Sequence, residues 1–271
     1  MTTLLLKDYI TYICMAALLI CFASCEKEID VNLKSVPPRI AIEGIVKHEQ
    51  LATVHVTHTL DFNNNDGYPH LSGAIVTISD DQGNSEVLKQ DANGWYTAEY
   101  IRGEIGRKYN LSVKYEGQEY TATSTMPPHV PLKSITFQKV PLIDYAVPVI
   151  HFADPAGELN RYYRALVFIN GKQNPDMKEN PISTEFVDGD NDIAYPIDIN
   201  TNDSDNDPIE KGDELTIEFQ CIDKGTYKFF DSLVNQVGTP TNPISNISNG
   251  ALGYFSACTS QKMTVTADWE D

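Results

Sequence analysis

"KYNLSVKYEGQEYTATST", Lys108–Thr125, consists of two alternating runs around a two-residue break. In the first run Tyr109, Leu111, Val113 and Tyr115 fall on one side, while Asn110, Ser112 and Lys114 fall on the other. Successive side chains of a strand project to opposite faces, so a run of this kind buries one face and wets the other. Glu116–Gly117 supplies the break, and a glycine there suits a tight hairpin turn whose central residues need positive φ. The stretch predicts an antiparallel hairpin and sets the period against which the rest of the chain is read.

The same period of two recurs upstream. Ile40 and Ile42 alternate with Ala41 and Glu43, and Val54, Val56, His58 and Leu60 alternate with Thr53, His55, Thr57 and Thr59. "SGAIVTISDDQGN" gives a strand through Ala74, Val76 and Ile78 that ends at the Asp81–Gly83 turn, and "ANGWYTAEY" supplies another turn and strand. Strands every ten or so residues predict a mainly β chain whose residues 38–127 form an immunoglobulin-like β-sandwich. "MPPHVP", Met126–Pro131, breaks any ladder because proline has no N–H to donate, and the domain boundary is placed there.

Residues 132–271 predict a second β-rich domain. Strands resume at Lys133–Lys139 and Ala146–His151, in "RYYRALVFIN" closing at Gly171, in "DELTIEFQCI", and in "GALGYFSAC" and "KMTVTADW" at the end. One short helix is expected at about 223–237, where Tyr227, Phe230, Val234 and Val237 recur at helical spacing between an Asp223 N-cap and a Gly238 stop. The polar, acidic stretch 172–212, interrupted by Ile193, Tyr195 and Ile197, reads as a long loop of the kind that either binds or stays loose.

The 271 residues suffice for two ordinary domains. Thirty-eight acids against 20 bases give a formal charge of −18, and removing residues 1–24 leaves it unchanged because Lys7 and Asp8 cancel. Such a field repels phosphate backbones and anionic membrane surfaces, which excludes nucleic-acid binding and a polybasic membrane patch.

The first 24 residues have the grammar of a signal peptide: a polar start with Lys7, the apolar run "YICMAALLICF" from Tyr12 to Phe22, then Ala23 and Ser24. The run is about half of the ~20 residues a membrane-spanning helix needs. Ala23 and Ser24 directly before Cys25 resemble the lipobox of bacterial lipoproteins, with Phe22 where leucine is usual. That resemblance implies a diacylglycerol on the Cys25 thiol, cleavage of the signal before it and acylation of the new amino group with a fatty acid such as palmitate. Residues 25–37 then form a lipidated tether. "EKEID", Glu26–Asp30, resembles the acidic export tags of Bacteroidota-type lipoproteins. Cys14 and Cys21 leave with the signal, so Cys221 and Cys258 remain. An oxidising envelope permits a disulfide between them, provided their Cα atoms come within about 7 Å.

Chemistry-bearing motifs are sparse. In "NDSDNDPIEKGDE" Asp203, Asp205, Asp207 and Glu214 take positions one, three, five and twelve of a calcium loop. Pro208 stands where the sharp turn needs glycine and the flanks look like strands, so a solvated acidic loop is favoured and calcium is the lesser alternative. His55 and His58, three apart on a strand, face opposite sides and make no metal pair. No nucleophile elbow, His-Glu-x-x-His, phosphate loop or Cys-x-x-Cys occurs, so no catalytic residue, cofactor or enzymatic activity is assigned. Aromatics suggest binding instead. Tyr162–Tyr163, Tyr195, Tyr254 and Phe255 suit stacking on sugars or an interface, although alternating aromatics more often fill a sandwich core. Tyr195 and the acidic loop with Asp203, Asp205 and Asp207 form the expected contact surface.

"VPPRIAIEG" (Val36–Gly44), "LSGAIVTISDDQGN", "GEIGRKYNLSV", "YTATSTMPP", "FADPAGELNRYY" and "NPISNISNGALGYFSA", in this order behind the lipobox, resemble the bacterial lipoproteins grouped as domain of unknown function 4249. The resemblance implies a lipid-anchored protein on the outer face of the outer membrane, acting as an accessory or ligand-capturing partner of a TonB-dependent transporter. It carries over no catalytic residue; only Cys25 acquires a defined chemical role. The alternatives are a structural or adhesive surface module and, less favoured, an enzyme acting on glycans or peptides.

Overall fold

The computed structural model describes residues 37–60, 70–139, 146–157, 162–173, 180–187, 189–197, 199, 209–236 and 241–270. The first half of the chain carries β1 (Ile40–Lys47), β2 (Leu51–His58), β3 (Ile75–Asp80), β4 (Ser85–Val87), β5 (Lys89–Gln90), β6 (Trp95–Arg102), β7 (Lys108–Tyr115) and β8 (Gln118–Thr125). The predicted hairpin is present: β7 and β8 pair from Tyr115 opposite Gln118 to Lys108 opposite Thr125. Its turn has φ of 47° at Glu116 and 77° at Gly117, the two positive values that match the right-handed twist of the flanking strands.

The second half adds β9 (Leu132–Lys139), β10 (Ala146–Phe152), β11 (Tyr162–Ile169), β12 (Lys172–Gln173), β13 (Pro181–Ser183), β14 (Ile193–Pro196) and β15 (Glu214–Cys221). The helix α1 (Lys224–Val234) and the long strand β16 (Leu252–Thr266) complete it. Among the described residues the strands form three sheets. A nine-stranded sheet runs β12-β11-β15-β16-β1-β2-β6-β5 with β13 also on β11; the others run β4-β3-β7-β8 and β14-β10-β9.

Each small sheet encloses a core against part of the large one, and the protein is mainly β, with sheets packed face to face. Ile42, Val54, Val56, Val76, Ile78, Tyr109, Leu111 and Phe255 belong to the first core; Ile135, Ile150, Phe152, Tyr163, Ile217 and Phe219 belong to the second. Along the chain the cores change over between Met126 and Val130. Strand β16 serves both: Phe255 and Ala257 enter the first core, and Met263 and Val265 pack against the second. These positions are separated by even numbers of residues, so both cores lie on one face of the long sheet. Burying a side chain the size of Phe255 is worth about 1.5–3 kcal/mol. Pro38–Asp271 forms one compact unit.

Period-two reading anticipated "GALGYFSAC" and "KMTVTADW" as separate strands, whereas β16 runs through both. No turn intervenes because Thr259, Ser260 and Gln261 continue the ladder opposite Cys221, Gln220 and Phe219. The other side of β16 pairs in parallel with β1, Ala41 opposite Leu252 through Lys47 opposite Cys258. A parallel pair needs a long crossover and leaves no local turn signal, so the partner of β1 could not be read from its neighbourhood.

The opposite face of the long sheet carries α1. Phe229 and Phe230 pack on Tyr254, with Ile45 against them, and the Arg164 guanidinium lies 3.8 Å from the centre of the Phe230 ring. Asp223 is the N-cap as expected, accepting the Thr226 N–H at 2.8 Å. The helix stops at Val234 because Asn235 caps it, its N–H and Nδ2 both donating to the Asp231 carbonyl. Of the expected stripe Phe230 is buried, together with Thr226 and Phe229, while Tyr227 and Val234 are half-buried; Val237 and Gly238 lie outside the described residues. Cys221 and Cys258 are buried free thiols. The residue opposite Cys221 is Thr259, so Cys258 points to the other face and no bridge joins the pair.

Candidate functional site

The polar stretch read as one long loop contains two short strands that bring surface side chains together. Ile193 and Tyr195 are the inward positions of β14, which pairs with β10 so that Tyr195 stands opposite Ile150. Ile182 is the buried residue of β13, opposite Tyr163, which sets Ser183 opposite Tyr162. The turn leaving β13 places Glu185 beside the first turn of α1. Tyr195 is therefore part of a strand rather than a loop residue, and it lies within electrostatic reach of Asp231 and Tyr227, whose surroundings at one edge of the molecule include Tyr162, Glu185 and Lys224.

The contacts at this edge alternate rings and charges. Tyr162 and Tyr227 rings lie 5.0 Å apart at 33°. The Tyr162 hydroxyl donates to Glu185 Oε1, which also receives Lys224 Nζ at 2.8 Å. The same ammonium lies 5.6 Å from the Tyr162 ring centre, within cation–π range. The Tyr227 hydroxyl reaches Asp231 Oδ1, one helical turn on, at 3.3 Å.

Electrostatics follow from these placements. Burial, then the Asp231 charge and hydrogen bond, push the Tyr227 phenol up to about 12. Burial and the charge of Asp231 likewise raise Tyr195, so both hydroxyls respond to the same carboxylate. Tyr162 is raised by burial and by Glu185. Hydrogen bonds to Glu185 and then Tyr162 hold the Lys224 ammonium protonated well above the ordinary lysine range. All three tyrosines stay neutral donors at physiological pH, suited to hydrogen bonding and stacking rather than to proton transfer.

Beneath the edge lies a buried polar support. Asp154, 2% exposed, accepts the Thr184 hydroxyl at 2.6 Å and the Tyr163 hydroxyl at 3.2 Å on Oδ1, and its N–H donates to the Asp190 carbonyl at 2.8 Å. Its second oxygen, Oδ2, is buried with no partner among the described residues. The support fixes the turn from Thr184 to Val187, closed by the Val187 N–H on the Thr184 carbonyl at 2.9 Å. At the tip Phe186 is 100% exposed.

Of the aromatics singled out in the sequence, Tyr163, Tyr254 and Phe255 are buried. Tyr162 and Tyr195 reach the edge. His55 and His58 are occupied by rings, His55 stacked on Trp95 at 4.6 Å and His58 edge-on to Tyr115 at 5.8 Å. Cys25, Asp203, Asp205 and Asp207 lie outside the described residues. Among the described residues no cluster of three or more His, Cys, Asp or Glu side chains is arranged to hold a metal ion. Sequence reading missed Glu185, Phe186, Lys224, Tyr227 and Asp231 as one set, because Glu185 and Lys224 are 39 residues apart and meet only in the folded chain. Phe186, a lone aromatic in a run without alternation, was the available signal.

A family model described as Domain of unknown function (DUF4249) matches residues 26–264. No curated protein matches the chain.

Proposed function

We propose that this chain, which belongs to the DUF4249 family, is a lipid-anchored protein of the outer membrane surface. In this reading it works as an accessory or ligand-capturing partner of a TonB-dependent transporter. Cys25 carries the lipid, residues 25–37 are the lipidated tether, and the edge formed by Tyr162, Tyr195, Tyr227, Glu185, Lys224 and Asp231 is the contact surface. The observation that supports the reading is the Tyr162–Tyr227 ring pair, half-buried and interleaved with Glu185, Lys224 and Asp231, beside the fully exposed Phe186. Tyrosine offers large contact area with few rotatable bonds, and it is enriched in recognition surfaces for that reason. Among the described residues no helix is long and apolar enough to cross a membrane.

Extraction of the full-length chain in mild detergent tests the idea. Co-purification with a large outer-membrane protein, diminished when Tyr162 and Tyr227 are both changed to serine, is expected. A solitary monomer under every extraction condition would remove the partner and favour a spacer or adhesive module.

A further inference from the structure

We propose that Phe186 is the anchor of a protein–protein contact, a ring that enters an apolar pocket rimmed by lysine or arginine on a partner protein. The inference rests on the reading of this edge as the contact surface and adds the residue that dominates it and the chemistry of what receives it.

Phe186 is fully exposed while the residues around it are held in place. Thr184 is fixed from beneath by its hydroxyl on buried Asp154. Glu185 is clamped by Lys224 and Tyr162. The Val187 N–H closes the turn on Thr184, and the Asp154 N–H ties the far limb at Asp190. A buried polar group needs hydrogen bonds, and those of Asp154 join the Thr184 turn to Tyr163 in the core strand β11. The result is a ring displayed on a rigid turn, so little ordering remains to be lost when it docks. Aromatic side chains seated in pockets are the residues that most often dominate an interface.

Charge selects the class of partner. Glu185 precedes the ring, Asp190 and Asp192 follow it exposed in the same loop, and the whole chain carries −18. The nearby cations are engaged, Lys224 by Glu185 and Lys133 by the Asn191 carbonyl, while Asp190 and Asp192 keep the loop acidic. A basic rim around the receiving pocket complements this arrangement and steers encounter. An anionic lipid surface is repelled by it, which favours a protein over a membrane as the occupant.

The test replaces Phe186 by a photo-crosslinking amino acid in the full-length chain, expressed in a Bacteroidota-type host and irradiated in intact cells. The same replacement at Val87, an exposed apolar residue on another sheet, is the control. A discrete protein adduct at position 186 and none at position 87 is expected, mapped to a partner peptide with apolar residues flanked by lysine or arginine. Phe186→Ala should lower recovery of that partner roughly thirtyfold, the effect of losing a hot-spot side chain. The melting temperature should not move, because the ring is exposed. A partner recovered equally well with Phe186→Ala overturns the anchor while leaving the contact-surface reading intact. Adducts only to lipid overturn it in favour of a membrane, and no partner by any reagent in the unsubstituted protein removes both readings.

Discussion

Lys47 and Glu218, 171 residues apart, meet at 2.7 Å across β16 and join β1 of one half of the long sheet to β15 of the other. The Glu218 side chain is only 6% exposed, with Gln220 Nε2 at 2.8 Å and Lys262 Nζ at 3.6 Å completing its surroundings. Burial alone would raise the Glu218 carboxyl, but the hydrogen bonds from Lys47 and Gln220 and the lysine charges outweigh it and hold it below its ordinary value. The pair ties together the two parts of the sheet that cover the two cores.

Removing the cation strands a buried carboxylate. Lys47→Met should destabilise the protein by about 3 kcal/mol, the lower end for breaking a buried pair, because Lys262 remains in reach. Lys47→Met combined with Glu218→Met should recover most of the loss. Chemical denaturation of the two variants checks both statements.

The same group sets an acid limit. A carboxyl depressed in the folded state contributes stability that is present above its unfolded value, near 4.5, and lost as pH falls through the lower folded value. Unfolding free energy should therefore decline below about pH 4.5, and Glu218→Gln should flatten that part of the profile while lowering stability at neutral pH.

Gly253 tests the parallel seam between β1 and β16. Its φ is +91°, and a Cβ placed there would lie 2.0 Å from the Ile42 carbonyl oxygen, an approach backbone atoms cannot relieve cheaply. Gly253→Ala should cost about 1–3 kcal/mol from backbone strain alone, with the clash adding to it. Gly83→Ala, also at positive φ but with open space around it, should cost less, and comparison of the two melting temperatures separates strain from clash.

Alkaline titration reports on the edge. Asp231→Asn should lower the Tyr227 phenol from about 12 toward its ordinary 10.0 without reaching it, because the contribution of burial, the largest, is untouched. Since the folded phenol titrates above the unfolded one, the stability tied to it is complete below pH 10 and is lost as pH rises toward 12. Phenolate absorbance read in the two proteins decides the matter.

Much of the fold was legible because its strands keep a strict period of two next to their own turns. The β7–β8 hairpin follows from alternation around Glu116–Gly117, and β11 from an apolar run that closes at Gly171. What was not legible depends on distant pairing. Nothing local to Ile40–Lys47 announces that β16 lies beside it in parallel, and the 15 residues of β16 read as two strands because its faces change partners midway. In the stretch 172–212, Ile193 and Tyr195 were noticed as interruptions of a loop, although their spacing of two is that of β14. Tyr195 was a member of the edge readable from its setting; Glu185, Lys224, Tyr227 and Asp231 became its neighbours only through the docking of α1 across β11.

The measurement that bears most directly on the account is mass spectrometry of the full-length chain made in a Bacteroidota-type host, after intact cells are treated with a membrane-impermeant crosslinker. The account predicts a mature protein that begins at Cys25 with diacylglycerol on the thiol and an acyl chain on the amino group, crosslinked from outside the cell to a TonB-dependent barrel. An unmodified Cys25, or a protein that the impermeant reagent leaves solitary, would contradict it.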